Sequence, residues 1–289
     1  MKLNLNKILI TGANGMVGSY IDFGKKFNRA ELDVTDSKAV LTAVKKHRPK
    51  TIIHLAALTD LDYCEKNPAQ AYLVNSVGAY NVALAARAAG AKLVYISTAG
   101  IFDGLKKGFY RESDPGRPQN HYGHSKYLGE LVVQSLLKNY IIARACWMFG
   151  GGPEKDKKFV AKIIAQFDKS EIKALDDSWG SPTYGKDLVS ALKKLIAKNA
   201  RGVYHLGGKG EGTRYDVAKL IVQTLKPSIA VTPVDSNYFK LSAKRVTNEA
   251  LSSKVKLMRP WQTALKEYLE IEWKNHATQL TKKISGRGI

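Results

Sequence analysis

A tyrosine and a lysine stand four residues apart in the chain, at Tyr122 and Lys126. On a helix this spacing places both side chains on one face, one turn apart. A phenol that titrates near pH 10 exchanges protons poorly at neutral pH, and a neighbouring ammonium lowers its pKa by favouring the phenolate. The pair therefore suits general acid–base catalysis, although the same spacing also arises by chance on surface helices.

Two further features follow buried-looking segments. The apolar run 93–96 leads into Ser97 and Thr98, which puts a hydroxyl at the carboxyl end of a predicted strand. The apolar run 52–55 leads into Ala56 and Ala57, whose small side chains leave room for a cofactor. Taken with the Tyr–Lys pair, this order and spacing predict hydride transfer in which the tyrosine is the proton donor. The candidate catalytic residues are Thr98, Tyr122 and Lys126.

A glycine-rich turn follows the first predicted strand, with glycines at 12, 15 and 18. A turn without side chains lets backbone N–H groups approach a pyrophosphate, and the positive N-terminus of a following helix favours that charge. The position between a strand and a helix predicts a dinucleotide-binding turn rather than an ordinary tight turn. The candidate cofactor-binding residues here are Gly12, Asn14, Gly15, Met16, Val17 and Gly18.

The segment after this turn departs from the usual plan. Fourteen residues separate Gly18 from Asp33, too few for a full helix, a second strand and another helix, so the second strand is very short or absent. That strand normally ends in an acidic residue that binds the ribose hydroxyls of NAD. Lys25, Lys26 and Arg29 stand there instead, and they either bind a 2′-phosphate or face water. We favour NADP(H) as cofactor and leave NAD(H) open.

The elements that must position these residues alternate along the chain. Apolar runs predict buried parallel strands over 7–11, 51–55, 92–98 and 140–145, and a further strand is predicted over 202–206. Helical patterns cover 37–47 after an Asp36 cap, 69–89, 122–138, 159–167, 185–197 and 215–225. The alternation predicts an α/β protein with a Rossmann-type, doubly wound parallel sheet and a smaller, interleaved C-terminal substrate-binding lobe. We expect the NAD(P)-binding domain over 1–147, with 185–206 returning to it, and the substrate-binding lobe mainly over 148–289.

Composition narrows the class of protein. Hydrophobic residues make up 44% and charged residues 25% of the 289 residues, as in ordinary globular proteins. Neither an apolar run long enough to span a membrane nor a signal peptide is visible in the sequence. Cys64 and Cys146 lie far apart, without a CxxC or His-rich neighbourhood, so we expect no disulfide and no metal site. These features predict a reducing, cytoplasmic location.

The formal charge of +21 is spread along the chain. Its lysine pairs never extend into a basic arm, and no aromatic residues interleave with them as in a nucleic-acid stacking surface. We therefore expect no specific nucleic-acid binding. The charge either forms a solvated basic surface or steers polyanionic ligands, which dinucleotides and sugar nucleotides both are.

Together these features resemble the extended short-chain dehydrogenase/reductases, and more narrowly the dTDP-4-dehydrorhamnose reductase family. The resemblance runs from residue 8 to about residue 195. The motifs that carry it are TGANGMVG at 11–18, LDVTD at 32–36, HLAA at 54–57, VNSVG at 74–78, ST at 97–98 with FDG at 102–104, NHY at 120–122, KYLGE at 126–130, RACW at 144–147 and GSPT at 180–183. The last two are the most specific, because generic sugar epimerases lack them.

The resemblance implies a role for each catalytic candidate. Thr98 would hydrogen-bond the substrate carbonyl, Tyr122 would protonate the developing alkoxide, and Lys126 would bind the nicotinamide ribose and lower the tyrosine pKa. Further cofactor contacts are implied for Asp33, Val34, Ala56, Ala57 and, as part of a supporting network, Asn75. Substrate contacts are implied for Phe102, Asn120 and Trp147. Arg144 is either a substrate contact or a structural ion pair.

The implied activity is reduction of a nucleotide-linked 4-keto-6-deoxy sugar by NAD(P)H. We expect the sugar nucleotide as ligand and a homodimer as the assembly. Two departures bear on the substrate. Ala99 and Gly100 stand where the family has an Asp-Tyr pair, and Lys157 and Lys158 stand where it tends to have asparagine. Two alternatives stay open: an epimerase or dehydratase of nucleotide sugars with bound NAD, and a non-catalytic regulatory subunit that binds NADP.

Overall fold

The computed structural model describes residues 4–274 of the chain. Its strands in chain order are Ile8–Thr11 (β1), Lys25–Phe27 (β2), Thr51–His54 (β3), Lys92–Thr98 (β4), Tyr140–Phe149 (β5), Glu171–Leu175 (β6), Trp179–Gly180 (β7), Pro182–Tyr184 (β8), Gly202–His205 (β9), Gly212–Thr213 (β10), Ala230–Val234 (β11) and Asn248–Glu249 (β12). Its α-helices are Ser37–His47 (α1), Leu61–Lys66 (α2), Pro68–Tyr72 (α3), Gly78–Ala88 (α4), His121–Leu136 (α5), Gly152–Lys155 (α6), Phe159–Ile164 (α7), Gly185–Ala197 (α8), Arg214–Leu225 (α9) and Trp261–Tyr268 (α10). Single 3-10 turns cover Leu5–Lys7, Gly18–Tyr20 and Ala99–Ile101, and π-helical turns cover Leu73–Val77 and Leu269–Trp273.

The main sheet is parallel and has the strand order β2-β1-β3-β4-β5, with β8 and β9 both paired to β5. Strand β9 pairs with residues 141–144 of β5, and strand β8 pairs with residues 146–149 of β5. The chain runs from β1 outward to β2 and then returns to the other side of β1 as β3. This reversal is a topological switch point, and open α/β sheets bind ligands there, beyond the carboxyl ends of the strands.

Helices cover both faces of this sheet. Helices α1, α4 and α5 bury one face around Val40, Val82 and Leu93, while α8 covers the other face with Leu188 and Leu192. The strands are apolar on both sides because both sides are covered, as in β1 and β3, in which every residue is buried. The predicted doubly wound α/β fold is confirmed.

A second core forms beside the carboxyl ends of β5 and β8. It contains α7, α9, α10 and the parallel pair β6–β11, packed around residues such as Ile163, Ile221 and Leu265. Phe149 and Tyr184, the last residues of β5 and β8, belong to this core and join it to the main sheet. We propose that this region is the substrate-binding lobe, with residues 185–206 belonging to the sheet because α8 and β9 pack there.

Several predicted boundaries agree with the structure. Helix α1, helix α8 and strand β4 occupy the predicted residues. The Asp36 carboxylate caps α1 by accepting from the backbone N–H groups of Lys38 and Ala39, at 2.9 and 3.0 Å. Strand β2 has three residues, so the prediction of a very short second strand is confirmed.

One predicted helix is absent, and two others are present with differences. In place of the helix expected after Gly18 there is a single 3-10 turn. Four residues separate this turn from β2, which is too few for a longer helix. The helix predicted over 69–89 is interrupted by the π-helical turn Leu73–Val77, which carries the buried Asn75. The helix predicted over 159–167 ends at Ile164, three residues early. Within residues 4–274, no helix is both long and apolar enough to span a bilayer.

Candidate active site

The glycine-rich turn lies at the switch point, between the carboxyl ends of β1 and β3. Gly12 has a φ of +68°, and a Cβ on it would stand 2.5 Å from the backbone nitrogen of Ala56, so this position requires glycine. A Cβ on Gly18 would stand 2.0 Å from the carbonyl oxygen of Ala13. Among the described residues, a Cβ on Gly15 would have one neighbouring atom, the Gly12 carbonyl oxygen at 3.5 Å. The turn is thus packed at both ends and open at Gly15, an arrangement that fits the approach of a pyrophosphate.

A cavity of about 490 Å³ borders this turn. Its lining combines the predicted cofactor residues Met16 and Ala57 with three lysines; the full set is Met16, Ala57, Leu58, Thr59, Asp60, Tyr63, Lys155, Lys157 and Lys158. The Lys158 ammonium donates to the carbonyl and hydroxyl oxygens of Thr59, at 2.9 and 2.8 Å. Burial lowers the pKa of Lys158. The cluster of lysines makes the cavity suitable for an anionic ligand.

The carboxyl end of β2 carries no acidic residue. The strand ends at Phe27, and Arg29 follows it with a side chain that is 73% exposed and 4.0 Å from the Asp33 carboxylate. Lys25 and Lys26 lie within β2 itself, and the Lys25 ammonium stands over the Phe27 ring. Of the three basic residues predicted for a 2′-phosphate, Arg29 is therefore the one placed beyond the strand end.

Two of the implied cofactor contacts, Asp33 and Val34, have well-defined surroundings. The Asp33 carboxylate accepts from the backbone N–H and the hydroxyl of Thr35, at 2.9 and 2.8 Å, and these bonds lower its pKa. Val34 is buried against α4, since a Cβ on Gly78 would stand 2.8 Å from its side chain. The Val34 side chain therefore belongs to the core, and its cofactor contact stays a prediction.

Thr98 and Tyr122 are brought together by close packing of α5 on the turn that follows β4. A Cβ on Gly123 would stand 2.1 Å from the Gly100 carbonyl oxygen, so the two segments come this close because position 123 is glycine. The Thr98 hydroxyl accepts from the Gly100 N–H at 3.0 Å and is hydrogen-bonded to the Tyr122 phenol. Burial raises the pKa of Tyr122 to about 12, although the hydrogen bond with Thr98 lowers it. The phenol therefore keeps its proton at neutral pH, as a proton donor must.

Lys126 lies one helical turn beyond Tyr122 and is buried. Its ammonium stands 4.1 Å from the centre of the Tyr95 ring. Burial lowers the pKa of Lys126 to about 7, whereas the charge of Glu130 raises it. Because burial raises the pKa of Tyr122, the net shift is upward, and the lowering of this pKa by Lys126 stays a prediction.

Asn75 connects three parts of the site. Its side-chain oxygen accepts from the Leu58 N–H at 2.9 Å, and its nitrogen donates to the Leu58 carbonyl and the Ser125 hydroxyl, both at 3.0 Å. The Tyr95 hydroxyl donates to the carbonyl oxygen of Lys126 at 3.1 Å. Asn75 thus ties the loop after β3 to α5, as the predicted supporting network requires, and a direct contact with the cofactor stays a prediction.

Trp147 lies at a bulge in β5, where the pairing register with β8 shifts. Its φ of +41° is uncommon for a bulky residue and turns the side chain out of the strand's regular alternation. The indole N–H donates to Glu249 Oε2 at 2.6 Å, and the Arg214 guanidinium stands 3.8 Å from the ring centre. A Cβ on Gly180 would stand 2.6 Å from the indole ring. The ring is therefore held on several sides.

Two predicted substrate residues have structural roles. Phe102 is fully buried and stacks on Tyr110 at 4.1 Å, so the prediction that it contacts the sugar was wrong. Asn120 caps α5, because its side-chain oxygen accepts from the Gly123 N–H at 2.8 Å, and its nitrogen donates to the Lys244 carbonyl at 2.9 Å. A sugar contact for Asn120 stays a prediction.

Arg144 and three histidines near the site are held by neighbouring side chains. Arg144 forms a buried ion pair with Glu130, with N–O distances of 2.7 to 3.2 Å, so the structural alternative holds for it. His54 is buried, as predicted, and hydrogen-bonds the Thr11 hydroxyl at 2.7 Å. His121 and His124 both contact the hydroxyl of Tyr72 rather than that of Tyr122. The Tyr72 hydroxyl oxygen lies 3.1 Å from His121 Nδ1 and 3.0 Å from His124 Nδ1.

Glu249 and Arg214 were missed by sequence reasoning. Both lie beyond the stretch that the family motifs cover, and no spacing along the chain relates them to Thr98 or Tyr122. The fold brings them to the site through the start of α9 and through β12, which pairs with β7. Gly100 is the one indirect signal in the sequence, because a residue without a side chain beside Thr98 leaves room for a side chain from another segment.

Comparison with known proteins identifies the family. A family model described as the RmlD substrate binding domain matches residues 6–273. The chain belongs to this family. The resemblance to dTDP-4-dehydrorhamnose reductases that the motifs carried is thereby confirmed.

Three relatives illustrate how far the similarity extends. The spore coat polysaccharide biosynthesis protein SpsK of Bacillus subtilis is 32% identical, over 92% of this chain and 98% of its own. The dTDP-4-dehydrorhamnose reductase of Mycobacterium tuberculosis H37Rv is 32% identical, over 90% and 91%. A dTDP-4-dehydrorhamnose reductase of Bacillus anthracis, solved in complex with NADP, superposes with a TM-score of 0.85 at 34% identity, over 91% and 98%. The likeness therefore covers both cores rather than the sheet alone.

Proposed function

We propose that the protein is an NADPH-dependent reductase of a nucleotide-linked 4-keto-6-deoxy sugar, acting as a dTDP-4-dehydrorhamnose reductase or on a close analogue. The observation that carries this proposal is the placement of Thr98, hydrogen-bonded to Tyr122, at the same edge of the parallel sheet as the open glycine-rich turn, in a member of this family. The reductase relatives and the NADP complex of the Bacillus anthracis protein support the same assignment.

The cofactor fits the residues present at the switch point. The open side of the turn at Gly15 leaves room for a pyrophosphate, and the exposed side chain of Arg29 lies beyond the end of β2, where it would bind a 2′-phosphate. Lys126, buried and with a pKa of about 7, would donate to the ribose hydroxyls. When bound, NADPH supplies the hydride that the ketone carbon accepts.

The chain's own residues handle the oxygen and the proton. Thr98 would donate a hydrogen bond to the ketone oxygen and thereby polarise the carbonyl, while its own oxygen accepts from the Gly100 N–H. Tyr122 would donate its phenolic proton to the same oxygen as negative charge develops there. Because burial raises the pKa of Tyr122 to about 12, the phenol holds its proton at neutral pH until the alkoxide forms.

The alternatives are distinguished by what the cofactor does. An epimerase or dehydratase retains NAD and needs no external NADPH, whereas a regulatory subunit binds NADP without turnover. Ala99 and Gly100, which replace the family's Asp-Tyr pair beside Thr98, keep the regulatory alternative in view. The intact catalytic trio favours the reductase.

The test is oxidation of NADPH and of NADH at 340 nm with a panel of dTDP-, UDP- and GDP-linked 4-keto-6-deoxyhexoses. We expect turnover with one of them and a preference for NADPH. No turnover across the panel, with tight NADPH binding in calorimetry, would contradict the reductase and favour the regulatory subunit. Nucleotide-sugar conversion without added NADPH would favour the epimerase or dehydratase.

The proposal extends to location and assembly. A cytoplasmic location accords with the biosynthetic names of the relatives and with two free cysteines. A homodimer is supported by Leu73, Val77 and Tyr80, which lie on successive helical turns and are 39 to 44% exposed. Sedimentation equilibrium measures the mass of the assembly directly.

A further inference from the structure

Gly100 leaves a space beside the catalytic hydroxyl. A Cβ built on Gly100 would stand 3.4 Å from Thr98 Oγ1 and 3.5 Å from Glu249 Oε1. The Thr98 hydroxyl, which we propose binds the ketone oxygen, and the Glu249 carboxylate therefore border the same space. A side chain at position 100, such as the tyrosine of the family's Asp-Tyr pair, would separate the two oxygens.

The Glu249 carboxylate is held so that one oxygen is left for a ligand. Its Oε2 accepts from the Trp147 indole N–H at 2.6 Å, and its backbone is fixed because β12 pairs with β7, opposite Gly180. Among residues 4–274 we find no hydrogen bond to Oε1. The half-buried carboxylate thus turns an unused acceptor toward Gly100 and Thr98.

The charge of Glu249 acts on the catalytic tyrosine. Burial raises the pKa of Glu249, while the Trp147 hydrogen bond and the charges of Arg214 and Arg245 lower it. The negative charge of Glu249 in turn contributes to the raised pKa of Tyr122. A half-buried acceptor this close to the proton donor is best satisfied by a hydrogen-bond donor on the substrate.

We propose that Glu249 is a specificity-determining residue, whose Oε1 accepts a hydrogen bond from an O–H or N–H group on the sugar carbon next to the ketone. The inference rests on the proposed function and narrows its substrates to 4-keto sugars that carry a hydroxyl or amino group at this carbon. A sugar without the donor would leave the carboxylate unpaired in a desolvated site, and sites built around such a bond reject analogues that lack it.

The experiment compares three dTDP-linked 4-keto-6-deoxyhexoses that carry a hydroxyl, an amino group or hydrogen at C3. With NADPH, wild-type kcat/KM should be at least tenfold lower for the 3-deoxy sugar. Glu249→Ala should lower kcat/KM at least tenfold more for the hydroxy and amino sugars than for the 3-deoxy sugar. Glu249→Gln, which keeps an acceptor without charge, should retain the hydroxy sugar better than the amino sugar. Glu270→Ala, which removes an exposed carboxylate, is the matched control and should change none of the three.

Equal losses for all three sugars in Glu249→Ala would overturn the proposal, because they would mean that Glu249 serves Trp147 alone. Thermal unfolding shows whether the variants are folded, and Glu249→Gln gives the answer if the alanine variant is not. If the wild type reduces none of the sugars, the proposed function fails, and calorimetry with the same panel still decides. Tighter binding of the hydroxy and amino sugars that is lost in Glu249→Ala or Glu249→Gln would support the proposal; equal affinities would refute it.

Discussion

Replacing Tyr122 with phenylalanine removes one hydroxyl and keeps the aromatic ring in place. The change removes the hydrogen bond to Thr98, so we expect a cost of about 1 kcal/mol in the free energy of unfolding. Thr98 keeps its bond to the Gly100 N–H, and the loop after β4 therefore stays in position. The turnover number, in contrast, should fall by a factor of about 10² to 10⁴, or roughly 3–5 kcal/mol in the barrier, because the substrate alkoxide loses its proton donor.

The assay is NADPH oxidation with the best sugar from the panel, together with the affinity for NADPH measured by fluorescence. Tyr127→Phe is the matched control, since Tyr127 lies on the same helix and packs its ring against Gly116. We expect near-normal turnover for Tyr127→Phe and near-normal cofactor affinity for both variants. Turnover of Tyr122→Phe within tenfold of the wild type would refute the assignment of Tyr122 as the proton donor.

Two further predictions test the cofactor side of the site. Lys126→Met should raise the free energy of unfolding near pH 7 by roughly 2–4 kcal/mol, because burial lowers the pKa of Lys126 from 10.5 to about 7 and the fold carries an unfavourable charge below that pH. The gain in stability should shrink as pH rises toward 10.5, since the unfolded wild type then loses the same proton. Denaturant titrations at several pH values measure this dependence, and a variant less stable than wild type at pH 7 would contradict the prediction. The affinity of Lys126→Met for NADPH should also fall at least tenfold. Gly15→Ala should keep the thermal midpoint and weaken NADPH binding at least tenfold, whereas Gly12→Ala should destabilise the fold itself because of its φ of +68° and the Ala56 backbone. Equal thermal midpoints for the two alanine variants would argue against this division of roles.

The positions of Thr98, Tyr122 and Lys126 in the fold could be predicted because they depend on contiguous elements. Strand β4 ends at Thr98, and Tyr122 and Lys126 share one helix, so local periodicity and the carboxyl-end rule for parallel sheets place all three on one side. The glycine-rich turn was predictable for the same reason, as it joins β1 to the next element. The single 3-10 turn in place of a helix was harder to foresee, because it depends on how close β2 lies to β1.

The electrostatics of the trio could not be predicted from spacing. Four residues on a helix put Lys126 near Tyr122, but the burial of each group decides its pKa, and burial depends on how the packed neighbours of α5 exclude water. Phe102 shows the same limit from another side. Its motif placed it close to the catalytic strand, whereas the fold uses it as a core residue stacked on Tyr110.

The residues proposed for proton transfer and those proposed for substrate specificity come from different parts of the chain. The proton donor and its partners rest on β4 and α5, within the parallel sheet, and Gly123 fixes the distance between them. The groups around Trp147 come from a bulge in β5, from the start of α9 and from β12. Substitutions in these later segments alter the surroundings of the sugar without moving Thr98 relative to Tyr122. The loss of side chains at positions 99 and 100 is therefore compatible with a working catalytic centre, and Glu249 is the residue through which that loss changes the choice of substrate.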